Sequence, residues 1–156
     1  VIDQKAFTKI SEYVEDAKKN ARVLQGGGCH GEEGWFIEPT LFYDVDNRMT
    51  IAREEIFGPV LVVIPYDGEE QAIAMANASS YGLQASVWSD NLNRAHRVAR
   101  ALRAGTVHVN QYDEDDITVP FGGYKQSGNG RDKSLHALEK YTELKTTWLR
   151  IDGPPP

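Results

Sequence analysis

The sequence predicts an α/β protein: a parallel sheet with crossover helices, followed by a terminal strand. The apolar run Val60–Ile64 does not alternate with polar residues, which is typical of a central strand covered on both faces. Two helical patterns follow this run, and each leads into a further strand pattern. Helices that connect successive strands in this way imply right-handed crossovers between parallel strands.

The first element is a helix from about residue 4 to residue 20. Its apolar residues recur at spacings of three and four, at Phe7, Ile10, Val14 and Ala17. A short strand over 21–25 follows, and then a glycine-rich loop. An extended segment over 35–45, interrupted at Pro39, completes the part before the apolar run.

The pattern after the apolar run predicts two helices. Asp67 and Glu70 resemble a capping box that opens the first helix, which buries Ala72, Ile73 and Ala76. A strand over 83–87 follows it. The second helix covers 91–104, ends at Gly105 as its C-cap and leads into a strand over 106–110. Its predicted inward residues are Leu92, Ala95, Ala99 and Leu102.

The remaining chain combines a long loop with a terminal strand. Residues 111–131 are too many for a passive connection and predict a functional loop, followed by a short helix over 134–141. β-Branched and aromatic residues over 143–151 predict a strand that needs a partner, such as another subunit's sheet. The predicted organisation is therefore one domain over 1–142, an oligomerisation strand over 143–151 and a disordered tail over 152–156.

Composition excludes several classes of protein. The chain of 156 residues is 40% hydrophobic and 26% charged, as in globular proteins, and its net charge of -6 gives no basic surface for nucleic acid. No apolar run is long enough to span a membrane. The single cysteine fits a reducing compartment, so we expect a cytoplasmic protein without nucleic-acid or membrane partners.

Several candidate sites have simpler interpretations. Residues 26–31 formally match a dinucleotide-binding pattern, but no helix follows, so a flexible loop is favoured. Cys29, beside His30 in that loop, lacks the rigid support of a nucleophile. The four histidines lack metal-site spacing, and the acidic run 113–116 lacks the glycine and glutamate of a calcium loop, so no metal is expected.

The pair Glu54–Glu55 precedes the turn Phe57-Gly58-Pro59. One carboxylate of such a pair can accept hydrogen bonds from a diol such as a ribose while the other is a surface charge. From the residue types alone, a plain surface pair is favoured over a ribose-binding pair.

Two long motifs, Glu54–Val60 and Pro120–Gly128, resemble those of the aldehyde dehydrogenase superfamily. Further similar segments, in the family's order, are Phe36–Thr40, Tyr81–Leu83, Gly105–Val107 and Val109–Asn110. The resemblance covers nearly the whole chain and implies the C-terminal part of the subunit. The family's catalytic cysteine and glutamate are then expected before Val1, so this chain is expected to hold no catalytic residue and to be inactive alone.

The resemblance also implies site residues. Glu55 matches the glutamate that binds the nicotinamide ribose of NAD, and Phe57 the aromatic residue beside that ribose; NADP is an alternative cofactor. Lys9 lies near a cofactor-proximal position. Phe121 and the loop Tyr112–Asp116, with Asp113 and Asp115, match the walls of the aldehyde tunnel.

Residues 115–121 and 129–138 are most similar to bacterial γ-glutamyl-γ-aminobutyraldehyde dehydrogenases of putrescine breakdown. Carboxylates at the tunnel mouth suit an aldehyde that carries an amino group. The resemblance therefore implies that the complete subunit oxidises such an aldehyde to the carboxylic acid. The partners that it implies are the missing N-terminal part of the subunit and, through residues 143–151, further copies of the subunit in a homo-oligomer. Tight cofactor binding by this chain alone is not expected. The alternative is a non-enzymatic oligomerisation or regulatory module derived from the same family.

Overall fold

The computed structural model describes residues 1–31, 33–112 and 116–153, and the chain divides into two compact units, Val1–Ser80 and Tyr81–Pro156. Elements of the first unit are α1 (Gln4–Ala17), β1 (Arg22–Gln25), β2 (Thr40–Tyr43), α2 (Thr50–Arg53), β3 (Val60–Val62) and α3 (Gly68–Asn77). Elements of the second are β4 (Tyr81–Gly82), β5 (Gln84–Val87), α4 (Leu92–Ala101), β6 (Thr106–Val109), β7 (Tyr124–Lys125) and a 3-10 helix (Leu135–Lys140). No helix in the described ranges is long and apolar enough to cross a bilayer.

Helix α1 supplies much of the first unit's core, as its apolar spacing predicts. The helix begins after Asp3, whose side chain accepts a hydrogen bond from the Ala6 N–H at 2.7 Å. It ends at Ala17, three residues earlier than predicted. The buried core residues are Ile10, Val14, Ala17, Phe42, Val45, Ile51 and Ile56.

Three strands form the sheet of the first unit, in the order β1-β2-β3. β1 is antiparallel to β2, and β2 is parallel to β3, with Thr40 opposite Val60. The prediction that Val60–Ile64 is a central strand covered on both faces is wrong for this sheet. β3 lies at its edge, and although Val60 and Val62 pack against the core, Leu61 on the opposite face is 64% exposed.

The start of α3 differs from the predicted capping box. The Asp67 side chain makes no capping hydrogen bond; instead, the Asp67 N–H donates to the side-chain oxygen of Gln71. Gln71 therefore serves the function predicted for Glu70. The helix buries no residue fully, and the predicted inward residue Ala76 is exposed.

In the second unit, α4 connects the parallel strands β5 and β6, as predicted for a crossover. The Asn91 side chain caps α4 by accepting from the Arg94 N–H at 2.9 Å. Ala95 is buried, but the predicted inward residue Leu92 is 68% exposed because it lies in the first turn. The helix ends at Ala101, so Gly105 is not its C-cap; Gly105 leads into β6.

Residues 143–151 form neither a helix nor a strand. Their large apolar side chains are exposed, with Leu144 at 107% and Trp148 at 93%. A strand needs a neighbour for its backbone N–H and C=O groups, and none of the described strands pairs with this segment. The predicted terminal strand is therefore not formed within the described chain, and residues 154–156 of the predicted tail lie outside the described residues.

Candidate cofactor and substrate site

The segment Glu54–Pro59 joins α2 to β3 and contains both buried and exposed side chains. Ile56 is buried in the core, and Gly58 packs directly on Ile10, because a Cβ on Gly58 would lie 2.8 Å from Ile10 Cδ1. Glu55 is exposed and Phe57 is 85% exposed. The inward residues thus fix the segment while the two predicted cofactor residues face solvent.

The two adjacent glutamates have different surroundings. The Tyr13 hydroxyl donates a hydrogen bond to Glu54 Oε2, so this carboxylate is engaged within the protein. Among the described residues, none donates a hydrogen bond to the Glu55 carboxylate. Lys9 Nζ donates to the backbone carbonyl of Glu55 at 3.4 Å, which fixes the main chain and leaves the Glu55 side chain available to a ligand.

Phe57 has an unusual backbone conformation, with φ at 62°. Positive φ is strained for a bulky residue, and such strain tends to occur at functional sites. The surrounding structure fixes this conformation: Ile56 is buried on one side, and on the other the Pro59 carbonyl accepts from the Thr40 N–H at 2.9 Å. The main chain that carries this exposed aromatic ring is thereby fixed, two positions from an exposed carboxylate.

These residues fit part of a nicotinamide nucleotide. A carboxylate accepts hydrogen bonds from both hydroxyls of a ribose, and an aromatic face packs against the sugar. The glycine-rich loop does not extend the fit to the pyrophosphate. His30 donates its N–H to the Phe36 carbonyl at 3.1 Å, and Cys29 forms an isolated antiparallel bridge with Ile37, so no helix N-terminus follows the glycines.

Phe121 belongs to the second unit and is half-buried. Its backbone pairs with that of Asp132 through hydrogen bonds of 2.9 and 2.6 Å. Lys133 Nζ lies 5.5 Å from the centroid of the Phe121 ring, a cation–π distance. The ring is therefore supported from its own unit through both main chain and side chain.

The glycines after Phe121 pack against other backbone segments. A Cβ on Gly105 would lie 1.7 Å from the Gly122 carbonyl oxygen, so only glycine permits this approach. Arg131 Nη1 donates to the carbonyls of Gly123 and Gly130, each at 2.9 Å, and its guanidinium lies 5.3 Å from the Tyr124 ring centroid. The glycines of the motif Pro120–Gly128 thus pack tightly against neighbouring backbone and support Phe121 within the same motif.

The predicted tunnel loop begins after a well-fixed residue. The Asn110 side chain accepts from the Ser89 N–H at 2.8 Å and donates to the Ser89 carbonyl at 2.9 Å. Tyr112 is 71% exposed, while Asp113 and Asp115 lie outside the described residues. At the end of the loop, hydrogen bonds from the Thr118 backbone and side chain lower the pKa of the Asp116 carboxyl.

Sequence reasoning missed several supporting residues. Tyr13 and Arg131 were not singled out, although both fix the segments that carry predicted site residues. The spacing of Lys9 and Tyr13, four positions apart on α1, places them on one helix face and offered a signal. For Arg131, no residue spacing in the sequence predicts that its guanidinium binds the carbonyls of Gly123 and Gly130.

Comparisons with known proteins match nearly the entire chain. Residues 1–147 match the model of the aldehyde dehydrogenase family. The NADP/NAD-dependent aldehyde dehydrogenase PuuC of Escherichia coli (strain K12) is 52% identical over 98% of this chain and 31% of its own length.

Two solved structures are similar in fold as well as in sequence. The γ-glutamyl-γ-aminobutyraldehyde dehydrogenase of Burkholderia cenocepacia is 54% identical, with a TM-score of 0.90 over 94% of this chain and 30% of that one. The NAD+ complex of an aldehyde dehydrogenase from Bacillus cereus is 48% identical, with a TM-score of 0.92 over 97% and 31%. The chain therefore spans about a third of the length of its relatives, and it belongs to the aldehyde dehydrogenase family.

Proposed function

We propose that this chain forms the C-terminal third of an NAD(P)-dependent aldehyde dehydrogenase subunit, which oxidises an aldehyde to a carboxylic acid. The observation that carries the proposal is the different engagement of Glu54 and Glu55. Both side chains are exposed, but Glu54 accepts a hydrogen bond from Tyr13, whereas Glu55, two positions before Phe57, accepts none at its carboxylate from the described residues. This arrangement suits a carboxylate that binds a ligand hydroxyl.

Bound NAD(P) would supply the hydride acceptor for the reaction. Glu55 would accept hydrogen bonds from the nicotinamide ribose, and the Phe57 ring would pack beside that sugar. Both residues are fixed through the main chain, by Lys9 on the Glu55 carbonyl and by Gly58 against Ile10. A fixed hydrogen-bond acceptor restricts the orientation of its ligand, which raises the rate of a reaction that requires close alignment.

The second unit would supply part of the aldehyde tunnel. Phe121 offers an aromatic surface, and its position is set by the Asp132 backbone pair and by the packed glycines that follow it. Tyr112, Asp113 and Asp115 would contribute to the tunnel mouth. The catalytic cysteine and glutamate would come from the other two-thirds of the subunit.

The substrate that we propose is an aldehyde with an amino group, such as γ-glutamyl-γ-aminobutyraldehyde. Two observations support this choice: the acidic residues of the loop Tyr112–Asp116, and the 54% identity to a protein named for that substrate. A carboxylate attracts the α-ammonium group of the γ-glutamyl moiety as the substrate approaches. Loss of these charges would therefore change the preference among aldehydes more than the rate of the oxidation step.

We also propose that residues 143–151 associate with another subunit. Leu144, Trp148, Leu149 and Ile151 are each at least 80% exposed. Pairing as a strand would satisfy the backbone of this segment and cover these side chains.

A pre-steady-state experiment tests the cofactor role of Glu55. In the full-length protein, Glu55→Gln keeps the size of the side chain but removes its charge, and we expect the NADH burst to slow roughly ten- to hundredfold. Acid release, measured as the steady-state rate after the burst, should change less, because hydrolysis does not need the nicotinamide in its hydride-transfer position.

Glu70→Gln is the matched control, since Glu70 is an exposed carboxylate in the first turn of α3. This variant should retain the parent burst rate. An unchanged burst in Glu55→Gln would contradict the proposed cofactor role of Glu55.

A further inference from the structure

Helix α1 contacts the segment Glu54–Pro59 at three points. Tyr13 bonds to the Glu54 side chain, Lys9 bonds to the Glu55 carbonyl, and Ile10 packs on Gly58. The Lys9 ammonium also lies 5.6 Å from the centroid of the Tyr13 ring. Glu55 itself thus lies between residues that one helix face holds in place.

The engagement of Glu54 has a direct geometric consequence for Glu55. Adjacent residues share a peptide plane, so fixing the Glu54 side chain on α1 restricts the rotation of the peptide that precedes Glu55. The Lys9 bond to the Glu55 carbonyl restricts the peptide that follows it. These two planes set the φ and ψ angles of Glu55, and therefore the direction in which its Cα–Cβ bond leaves the main chain.

We propose that Tyr13 is a positioning residue for Glu55, acting through its hydrogen bond to Glu54. The inference rests on the proposed function, because it states that a contact from α1 orients the carboxylate that binds the ribose. Without the Tyr13 hydroxyl, Glu54 turns to solvent, and the Glu55 carboxylate samples directions away from the ribose. A site displaced by about an ångström loses rate even when all of its groups remain present.

Tyr13→Phe in the full-length enzyme removes the hydroxyl and keeps the ring under Lys9. We expect the NADH burst to slow roughly three- to tenfold, a smaller loss than for Glu55→Gln. The effect should vanish in a Glu55→Ala background, because a positioning residue has no effect on hydride transfer once the side chain that it positions is removed.

Glu54 provides a second test of the same bond. Glu54→Gln keeps an oxygen that accepts from the Tyr13 hydroxyl, whereas Glu54→Ala removes the acceptor. We expect Glu54→Ala to slow the burst as Tyr13→Phe does, with no further loss in the double variant, and Glu54→Gln to restore most of the rate. This rescue keeps the test valid if Tyr13→Phe folds poorly.

Each result distinguishes the inference from the proposed function. A normal burst in Tyr13→Phe alongside a slow burst in Glu55→Gln would overturn the positioning role and leave the cofactor role intact. An equal slowing by Tyr13→Phe in both backgrounds would also overturn it, since the effect would then be general to the fold. A normal burst in Glu55→Gln would refute the cofactor role of Glu55, and the positioning role of Tyr13 with it.

Discussion

Gly105→Ala tests the backbone packing that supports Phe121. The added Cβ would lie 1.7 Å from the Gly122 carbonyl oxygen and 2.8 Å from its carbonyl carbon. The oxygen contact is more than an ångström shorter than 3.0 Å, a distance that real Cβ contacts essentially never undercut. No side-chain rotation relieves a contact between Cβ and backbone, so β6 and the Gly122 segment must separate.

The separation should destabilise the second unit by about 3 kcal/mol or more, at the upper end of overpacking effects. With a urea m-value of about 2 kcal/mol/M, the midpoint of unfolding should fall by roughly 1.5 M. The amides of Phe121 and Asp132, which pair with each other's carbonyls, should also exchange faster with deuterium.

Two other glycines provide controls for this substitution. Gly153→Ala should leave the midpoint unchanged, because nothing lies within 4 Å of its Cβ and its φ is not positive. Gly128→Ala also meets nothing within 4 Å, but its φ of 95° predicts an intermediate loss of about 1–3 kcal/mol. Equal midpoints for Gly105→Ala and Gly153→Ala would refute the close approach of Gly105 to Gly122.

Two further predictions concern substrate and pH. The full-length enzyme should show a larger kcat/KM for γ-glutamyl-γ-aminobutyraldehyde than for propanal, and equal values would contradict the amino-aldehyde proposal. Hydrogen bonds from Arg48 lower the pKa of Asp46 from 3.8 to about 2. Because the folded pKa is depressed, the pair stabilises the fold above about pH 4 and loses this contribution as the pH falls through about 2. Asp46→Asn should thus be less stable than the parent at about pH 6 and converge with it near pH 2, and urea unfolding of both across this range checks the sign. A constant difference at all pH values would contradict the role of this ion pair.

The sequence predicts local structure well where the local pattern and the tertiary contacts agree. The buried face of α1 follows from the spacing of Ile10, Val14 and Ala17, and the parallel pair β5–β6 follows from two strand patterns that flank a helix. Helix α3 begins after Asp67, as predicted, but its capping partner differs, because Glu70 and Gln71 can both reach back to the N-terminus and residue spacing does not distinguish them.

Features of the candidate site depend on contacts between distant positions. The residue types of Glu54 and Glu55 are identical, and the Tyr13 hydroxyl, 41 positions away from Glu54, makes them different. The positive φ of Phe57 has no signature in the residue type, because it results from a buried neighbour and a glycine packed on Ile10. The residue types therefore indicated which segment to consider, the family resemblance assigned the ribose to Glu55, and the fold shows that Glu54 is bonded to Tyr13.

Apolar residues that lie exposed in strand-like segments indicate surfaces for further packing. Leu61 is such a residue on β3, because its neighbours Val60 and Val62 already occupy the core face. Covering Leu61 requires a second layer on the opposite face of the sheet, and we propose that the rest of the same subunit provides it. Trp148 and Leu144 lie instead in a segment that pairs with none of the described strands, so a packed layer alone would leave its backbone N–H and C=O groups without partners. That segment needs the hydrogen-bonding edge of another sheet, which is why we propose a different subunit for it.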